Sequence, residues 1–388
     1  MNILIMSDLV PAADENCAYT TGDLESLLDE KLLDKILHAD CNIVNLECPL
    51  TEQIEPIPKW GSCLKASPDC IRVLEKIPNL LVNLANNHIN DYGEQGIRDT
   101  VALLEKKGIP YVGLRGEGVE QIEKVICVGD QKVGIFSCAE HEFSVAEGEK
   151  PGAVPCSIGD DIFRLQRLSV ECDYVIVLYH GGIEFYPYPT PQMQKNMRNY
   201  IRAGADLIIC QHSHCIGCIE NYENGTIVYG QGNFLFAHRN EVQENIADSE
   251  MWKHGMLIEV VLREKRLDYH FYETKNEMLV LKDHDPEYKR MLARSEAVKN
   301  ETMVKELFTQ YCRQHVSYMS IFKKNYGSQQ NSLRLRIKQA IKILCGKAEV
   351  GDDEYLRIYD YLLCEAHIEL LRKNSHLKIE EVFTNEGE

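Results

Sequence analysis

The chain opens on a short apolar run, NILIM at positions 2–6, which breaks to polar at Ser7 and Asp8. The same rhythm returns in CNIVNLE (41–47), NLLVNLAN (79–86) and YVIVLYH (174–180), each short enough to predict a buried strand. Between them, apolar residues recur every three or four positions, the spacing of a helix face. LESLLDEKLLDKILHA predicts one helix over 24–39, and SPDCIRVLEKI a short helix over 67–77 capped by Ser67. GEQGIRDTVALLEKKG predicts a helix over 93–108 closed by a C-terminal glycine. PYVGL, KVICVG and KVGIFSC read as strands, the last two joined by a turn at Gly129 and Asp130. A helix is predicted near 160–169, and PQMQKNMRNYIRAG predicts another over 191–204, with Pro near its start and Gly at its end. ADLIICQHSH, TIVYGQGNFLF, GMLIEVVLRE and RLDYHFYET add four strands. Alternation followed by a strand-rich half predicts α/β layers, two sheets face to face with helices outside.

From about residue 284 the pattern turns to long helical stretches without strands. The boundary falls near 275–285, dividing a domain at 1–280 from a helical module at 281–388. Within that module, LRLRIKQAIKIL places Leu333, Ile337, Ala340, Ile341 and Leu344 on one face, with basic residues largely off it. No acidic residue occurs between Tyr318 and Lys347. The segment 333–344 is thus a candidate for peripheral contact with a membrane surface or an acidic partner, against the plainer reading of a packed helix with a solvated face.

Composition narrows the class. The 388 residues carry 42 basic and 60 acidic side chains, a net charge of -18 that disfavours non-specific binding to nucleic acid. No run of 18 apolar residues and no leader-like start is present, so a cytoplasmic protein is expected. Its 15 cysteines then read as free thiols, most of them small buried hydrophobes.

Candidate chemistry gathers where the strands end. Asp8 follows the first strand, Glu47 the second, and Asn86, Asn87, His88 and Asp91 another; His180 and Glu184 follow YVIVLY, and His212 and His214 follow the next. Ligands of open α/β sheets bind outside the carboxyl ends of strands. Any one of these residues is more often a turn former or a rim histidine, but together they point to a divalent ion held by Asp8, Glu47, Asn87, His180, His212 and His214. Carboxylate, amide and imidazole donors suit one or two ions of Mn, Fe or Zn. His88, free of metal, is the candidate proton donor, and Asp91 the carboxylate that orients it. Glu184 completes the catalytic candidates.

The stretch CQHSHCIGC (210–218) offers competing readings. A zinc knuckle needs a second cysteine pair, and the chain has no other CxxC. A redox pair wants its CxxC at a helix N-terminus, whereas IGCIENYENG reads as a loop entering a strand. His212 and His214 would share a face if the segment is extended.

These blocks (NLECPLT, NLANNHINDYGEQGIRDT, HGGIEFYPYPTPQMQ with RAGADLII, HSH and VYGQGNF) resemble the capsule-synthesis family of the CapA type over residues 1–275. The resemblance implies a link to poly-γ-glutamate production and a four-layer α-β-β-α sandwich of metallophosphoesterase type, here with an all-helical C-terminal extension. It implies the same six metal contacts and places His88 where phosphoesterases carry their proton donor. Several positions depart from the pattern. Asp8 is followed by Leu9 and Val10, not by an Asp-x-His, which removes one ligand of the first metal. Gly181 stands where the family commonly has Trp and is expected to open the pocket wall. Cys210 and Gln211 replace the Gly and His that usually precede HxH. Relatives are commonly exported or membrane-anchored, which this start does not suggest.

The expectation is a metal-dependent hydrolase of phosphoesters, with amides second, acting on a small-molecule or polyanionic substrate. The alternative is a non-catalytic capsule or polyglutamate assembly factor that binds a polyanionic polymer or a partner enzyme.

Overall fold

The computed structural model of the chain describes residues 1–12, 17–237, 250–283, 286–314 and 352–385. The basic segment 333–344 therefore lies outside the described residues. Strands β1 (Asn2–Val10), β2 (Cys41–Leu46), β3 (Leu80–Asn83), β4 (Tyr111–Val112), β5 (Leu114–Arg115), β6 (Glu123–Val128), β7 (Gln131–Ala139) and β8 (Gly152–Ala153) make up the first half. β9 (Tyr174–His180), β10 (Leu207–Gln211), β11 (Ile216–Tyr222), β12 (Gly225–Gln231), β13 (Asn233–Phe236), β14 (His254–Val261), β15 (Arg266–Lys275) and β16 (Met278–Leu281) follow.

They form an eight-stranded sheet, ordered β16-β15-β14-β1-β2-β3-β4 with β13 beside the end of β1, and a six-stranded sheet, β11-β12-β10-β9-β7-β6. The side chains of β1 show why the sheets stack. Ile3 and Ile5 enter a core shared with Ile135, Ile176, Leu178 and Ile209 of the other sheet. Leu4 and Met6 face the opposite way, onto Leu32, Ile36, Ile97 and Leu104 of helices Glu30–His38 and Gly93–Lys107. Beyond the second sheet, Leu165, Leu168, Met197 and Tyr200 of helices Ile158–Glu171 and Pro191–Arg202 cover Phe136, Val175 and Val177. This is the expected α-β-β-α sandwich with helices beyond it, and strands buried on both faces explain the near-continuous apolar runs. Each fully buried Ile or Leu contributes about 1.5–3 kcal/mol.

Several local expectations fail: TIVYGQGNFLF is two strands, β12 and β13, in different sheets, and PYVGL divides likewise into β4 and β5. The helix expected over 24–39 is two, Leu24–Leu27 and Glu30–His38, because Asp29 caps the second by accepting from Leu32 N at 2.8 Å. IGCIENY is strand β11 at the sheet edge, not a loop, and pairs antiparallel with β12.

Later helices close over the sandwich. Pro286–Val298 packs on β11, with Ser295 Oγ accepting from Ile219 N at 2.8 Å. Glu301–Gln314 and Glu365–Asn385 share an apolar cluster with the loop after β9: Phe308, Cys312, Leu370 and Leu377 against Ile183 and Tyr186. None of the described helices is long and apolar enough to cross a membrane.

Candidate metal centre

The carboxyl ends of β1, β2, β3, β9 and β10 converge. β1 shifts register between Ile5 and Asp8, which turns Asp8 into the centre beside Asn45. Asn45 Nδ2 donates to Asp8 Oδ1 at 2.8 Å, and Asn45 Oδ1 accepts from Asn83 and Asn86, each at 3.1 Å. This amide ladder fixes the floor of the site. Asn86 spends its remaining donor on Leu46 O at 2.8 Å and so serves as scaffold.

Glu47 sits above that floor, fully buried, with neither side-chain oxygen hydrogen-bonded among the described residues. Its Oε1 lies 3.3 Å from His180 Nε2, which also lies 3.0 Å from Asn87 Oδ1. Glu47, His180 and His212 place donor atoms within 4.8 Å of one another, and so do Asp8, Glu47 and His214. Two groups thus overlap at Glu47, with Asn87 against the first. His212 Nδ1 is a further buried polar atom without a partner among the described residues.

The two histidines of HSH reach the centre by a route other than strand alternation. β10 ends at Gln211, and His212 and His214 both adopt positive φ, 89° and 50°. Side chains other than glycine take such angles at a cost of about 1–3 kcal/mol, typically where function holds them. The turn nonetheless sets the His180 and His212 rings 5.0 Å apart, and those of His212 and His214 5.8 Å apart. His214 Nδ1 is 2.8 Å from Asn233 Oδ1, which orients the ring. Phe185, Phe236 and Trp252 form an aromatic wall beside it.

Burial lowers His180 to about 4 and, with His180 nearby, holds His212 well below its ordinary value. Both rings are therefore neutral at neutral pH, the form that ligates metal. Burial alone would lower His214, but Glu47 and Asp8 raise it. Burial, then Asp8, pushes the Glu47 carboxyl well above the usual range. A buried carboxyl crowded by another, open on both oxygens and facing neutral imidazoles, is a donor set that fits a divalent cation.

His88 stands at the edge of this centre. Its Nδ1 is 2.7 Å from Asp91 Oδ2, and Asp91 also accepts from Leu64 N at 2.6 Å. Lys59, which nothing in the sequence pattern marked, is ion-paired with Asp91 and sits 3.2 Å from His88 Nδ1. Burial, then Lys59, lowers His88 to about 4, while Asp91 pulls the other way. Glu184 lies exposed at the rim, acting through space on Glu47, His180 and His214.

Two more carboxylates, Glu140 and Glu142, follow β7. Burial, then Asp360, raises Glu142 to about 8. Glu140 accepts from Tyr179 Oη at 2.7 Å and Gly182 N at 3.2 Å. It occupies the space that Gly181 was expected to leave open: a Cβ on Gly181 would lie 2.5 Å from Glu140 Cγ. The wall is therefore filled rather than open. Both carboxylates come from the polar loop after β7, which carries no periodic signal.

Other features lie elsewhere. A cavity of about 540 Å³ opens at the amino ends of β2 and β3, lined in part by Asp40, Cys41, Pro78 and Lys107, away from all candidate ligands. Cys138, Cys156 and Asp161 cluster on the outer face of the second sheet, where Tyr200 Oη bonds Asp161 at 2.5 Å and lies 3.3 Å from Cys156 Sγ. Those groups satisfy one another. Cys215 and Cys218 are buried thiols in and beside β11, with burial raising both.

Fold and centre together define a class: a two-sheet α/β sandwich whose strand ends converge a histidine, carboxylate and amide set suited to a divalent ion. The chain belongs to the bacterial capsule synthesis protein PGA_cap family, whose pattern matches residues 8–238, more than half of its length. It is 28% identical over 183 residues to a capsule biosynthesis protein CapA of Bacillus anthracis, covering 45% of this chain and 44% of that one. It is 31% identical over 180 residues to a PGA biosynthesis protein CapA of Bacillus subtilis (strain 168), covering 45% and 47%. The match thus spans less than half the length of these curated relatives. Among solved structures, a 5'-nucleotidase precursor from Thermus thermophilus is similar at 13% identity with a TM-score of 0.42, over 82% of this chain and 59% of that one.

Proposed function

We propose that this protein is a metal-dependent hydrolase, acting first on phosphoesters and second on amides, in the chemistry of capsular poly-γ-glutamate. Glu47 carries the reading: a buried carboxyl with two open oxygens, shared between two donor groups. Asp8, Glu47, Asn87, His180, His212 and His214 would hold the ion or ions. The mix of nitrogen and oxygen donors favours Mn, Fe or Zn. When bound, the metal would supply Lewis acidity and positive charge against a developing oxyanion.

The chain's own residues do the rest. Asp91 holds His88 through Nδ1, leaving Nε2 as the nitrogen for substrate. In the resting protein Lys59 and burial keep that ring neutral, and an anionic substrate beside it would favour its proton. A ring protonated on substrate binding can then pass that proton to a leaving oxygen. Lys59 keeps Asp91 ionised and in place.

A second reading, a non-catalytic assembly factor binding a polyanionic chain, draws support from the capsule-synthesis names of the Bacillus relatives. The discriminating experiment is elemental analysis after chelator-free purification, followed by assay of the Mn²⁺-loaded protein on phosphomonoesters, phosphodiesters and γ-glutamyl amides. Turnover on any class supports the hydrolase. A metal-loaded protein inert on all of them, yet retaining γ-linked polyglutamate, favours the assembly factor.

A further inference from the structure

The helices Asp352–Leu363 and Glu365–Asn385 lie outside the family match, yet they grip the loop that leaves β7. Glu365 takes both polar groups that His141 offers. Its Oε2 accepts from the His141 backbone N–H at 2.9 Å, and its Oε1 lies 2.5 Å from the ring Nδ1. One residue earlier, buried Cys364 donates to Glu140 Oε2 at 3.4 Å. One turn later, Glu369 accepts from Gln192 N at 3.1 Å, at the start of the Pro191–Arg202 helix. Loop 140–145 is thus held from outside the sandwich.

The other side of the same loop reaches the metal centre. Ser144 Oγ donates to Asn87 O at 2.7 Å and accepts from Asn90 N at 3.2 Å. Asn90 Nδ2 donates back to Phe143 O at 3.3 Å. A continuous path of hydrogen bonds and the loop residues His141 to Ser144 runs from Glu365 to a candidate ligand.

We propose that Glu365 is a positioning residue for the metal centre: by clamping His141, it sets the loop from which Ser144 presents Asn87 to the ion. The inference rests on the metal-site reading above. Docking of the helix does not depend on this clamp, because Ala366, Leu370 and Leu377 seat it in the apolar cluster with Ile183 and Phe308. Glu365→Ala should therefore fold with the helix in place while the loop loosens. Groups that orient ligands from outside the coordination sphere typically account for about 10- to 100-fold in metal affinity.

The test is a Mn²⁺ titration of the full chain, followed by electron paramagnetic resonance, for wild type, Glu365→Ala, Glu365→Gln and His141→Ala. Glu365→Ala is expected to weaken binding about tenfold and to broaden the bound-ion spectrum. Glu365→Gln keeps an acceptor for the His141 N–H and should recover part of the loss. His141→Ala removes only the ring half of the clamp and should give a smaller change, so it serves as the readout if Glu365→Ala fails to fold. Wild-type affinity and spectrum in the folded variants would overturn the proposal. A wild type that binds no Mn²⁺ overturns the metal reading first and this inference with it, so the wild-type arm tells the two failures apart.

Discussion

Glu47 Oε1 stands 3.3 Å from His180 Nε2, and neither oxygen of this buried carboxyl takes a hydrogen bond from a described donor. An unpartnered buried polar group costs about 1–3 kcal/mol, more when charged, so the arrangement is unfavourable unless a cation offsets it. Glu47→Gln removes the ionisable carboxyl and keeps the shape. In chelator it should melt higher than wild type at pH 8, because a carboxyl held above its ordinary 4.5 in the folded protein costs stability once the pH exceeds that value. Excess Mn²⁺ should reverse the order, since a ligand at a hundred times its Kd stabilises by about 2.7 kcal/mol and the variant lacks the shared donor. Calorimetric melting with and without Mn²⁺ checks both. Equal metal-induced shifts in the two proteins would remove Glu47 from the centre.

What the sequence makes legible, and what it hides, follows from how each feature is encoded. The sandwich is legible because strands buried on both faces must be apolar throughout, as in YVIVLYH. The convergence of Asp8, Glu47, Asn87, His180, His212 and His214 is legible because strand ends in such sheets share an edge. Lys59 is hidden, since it lies in the irregular stretch between β2 and the turn at Pro68, where no periodicity places a side chain. Glu140 and Glu142 are hidden for the same reason. The histidine pair misleads in a different way. Spacing of two suggests an extended segment, but positive φ at both residues brings them to one centre by a turn. The CxxC also misleads, because edge strand β11 carries thiols that simply pack.

His88 is separable from the ligands. Its bonded partners are Asp91 and Lys59 rather than the donor groups around Glu47. His88→Ala should therefore bind Mn²⁺ as wild type does while losing about 10²- to 10⁴-fold in turnover, the usual worth of a positioned proton-transfer group. Calorimetric titration with Mn²⁺ and steady-state assay of the same preparations separate the effects. Loss of metal together with turnover would make His88 a ligand; unchanged turnover would end its role as proton carrier.

Gly181 and Glu140 form a steric pair. A methyl group at 181 meets Glu140 Cγ at 2.5 Å and Cδ at 2.7 Å, closer than van der Waals contact allows. Glu140 cannot simply swing away, because Tyr179 Oη, Gly182 N and Cys364 Sγ all donate to it. Gly181→Ala should cost about 1–3 kcal/mol, the usual toll of overpacking. Shortening the neighbour should relieve the clash, so Gly181→Ala should cost much less in a Glu140→Ala background. Denaturant unfolding of the two single variants and the double variant measures that coupling. Strict additivity would show that the clash is not what limits position 181.

The clamp between His141 and Glu365 has its own dependence on pH. The hydrogen bond to Glu365 raises His141 above its ordinary value of 6.5, with burial opposing. Burial alone would raise Glu365, but its bonds with His141 hold it below its ordinary 4.5. A raised histidine gives stability that is complete below 6.5 and is lost as pH rises through the folded value. A lowered carboxylate gives stability that is present above 4.5 and is lost as pH falls through the folded value. The pair is therefore strongest between those two ordinary values and fades on the alkaline side as His141 sheds its proton. Both side chains are more than a third exposed, so solvent screening limits the pair to roughly 1 kcal/mol or less. Wild type should melt above His141→Ala at pH 5.5, and the gap should close by pH 8.5. A gap of the same size at both pH values would mean that the ring packs at this contact without contributing its charge.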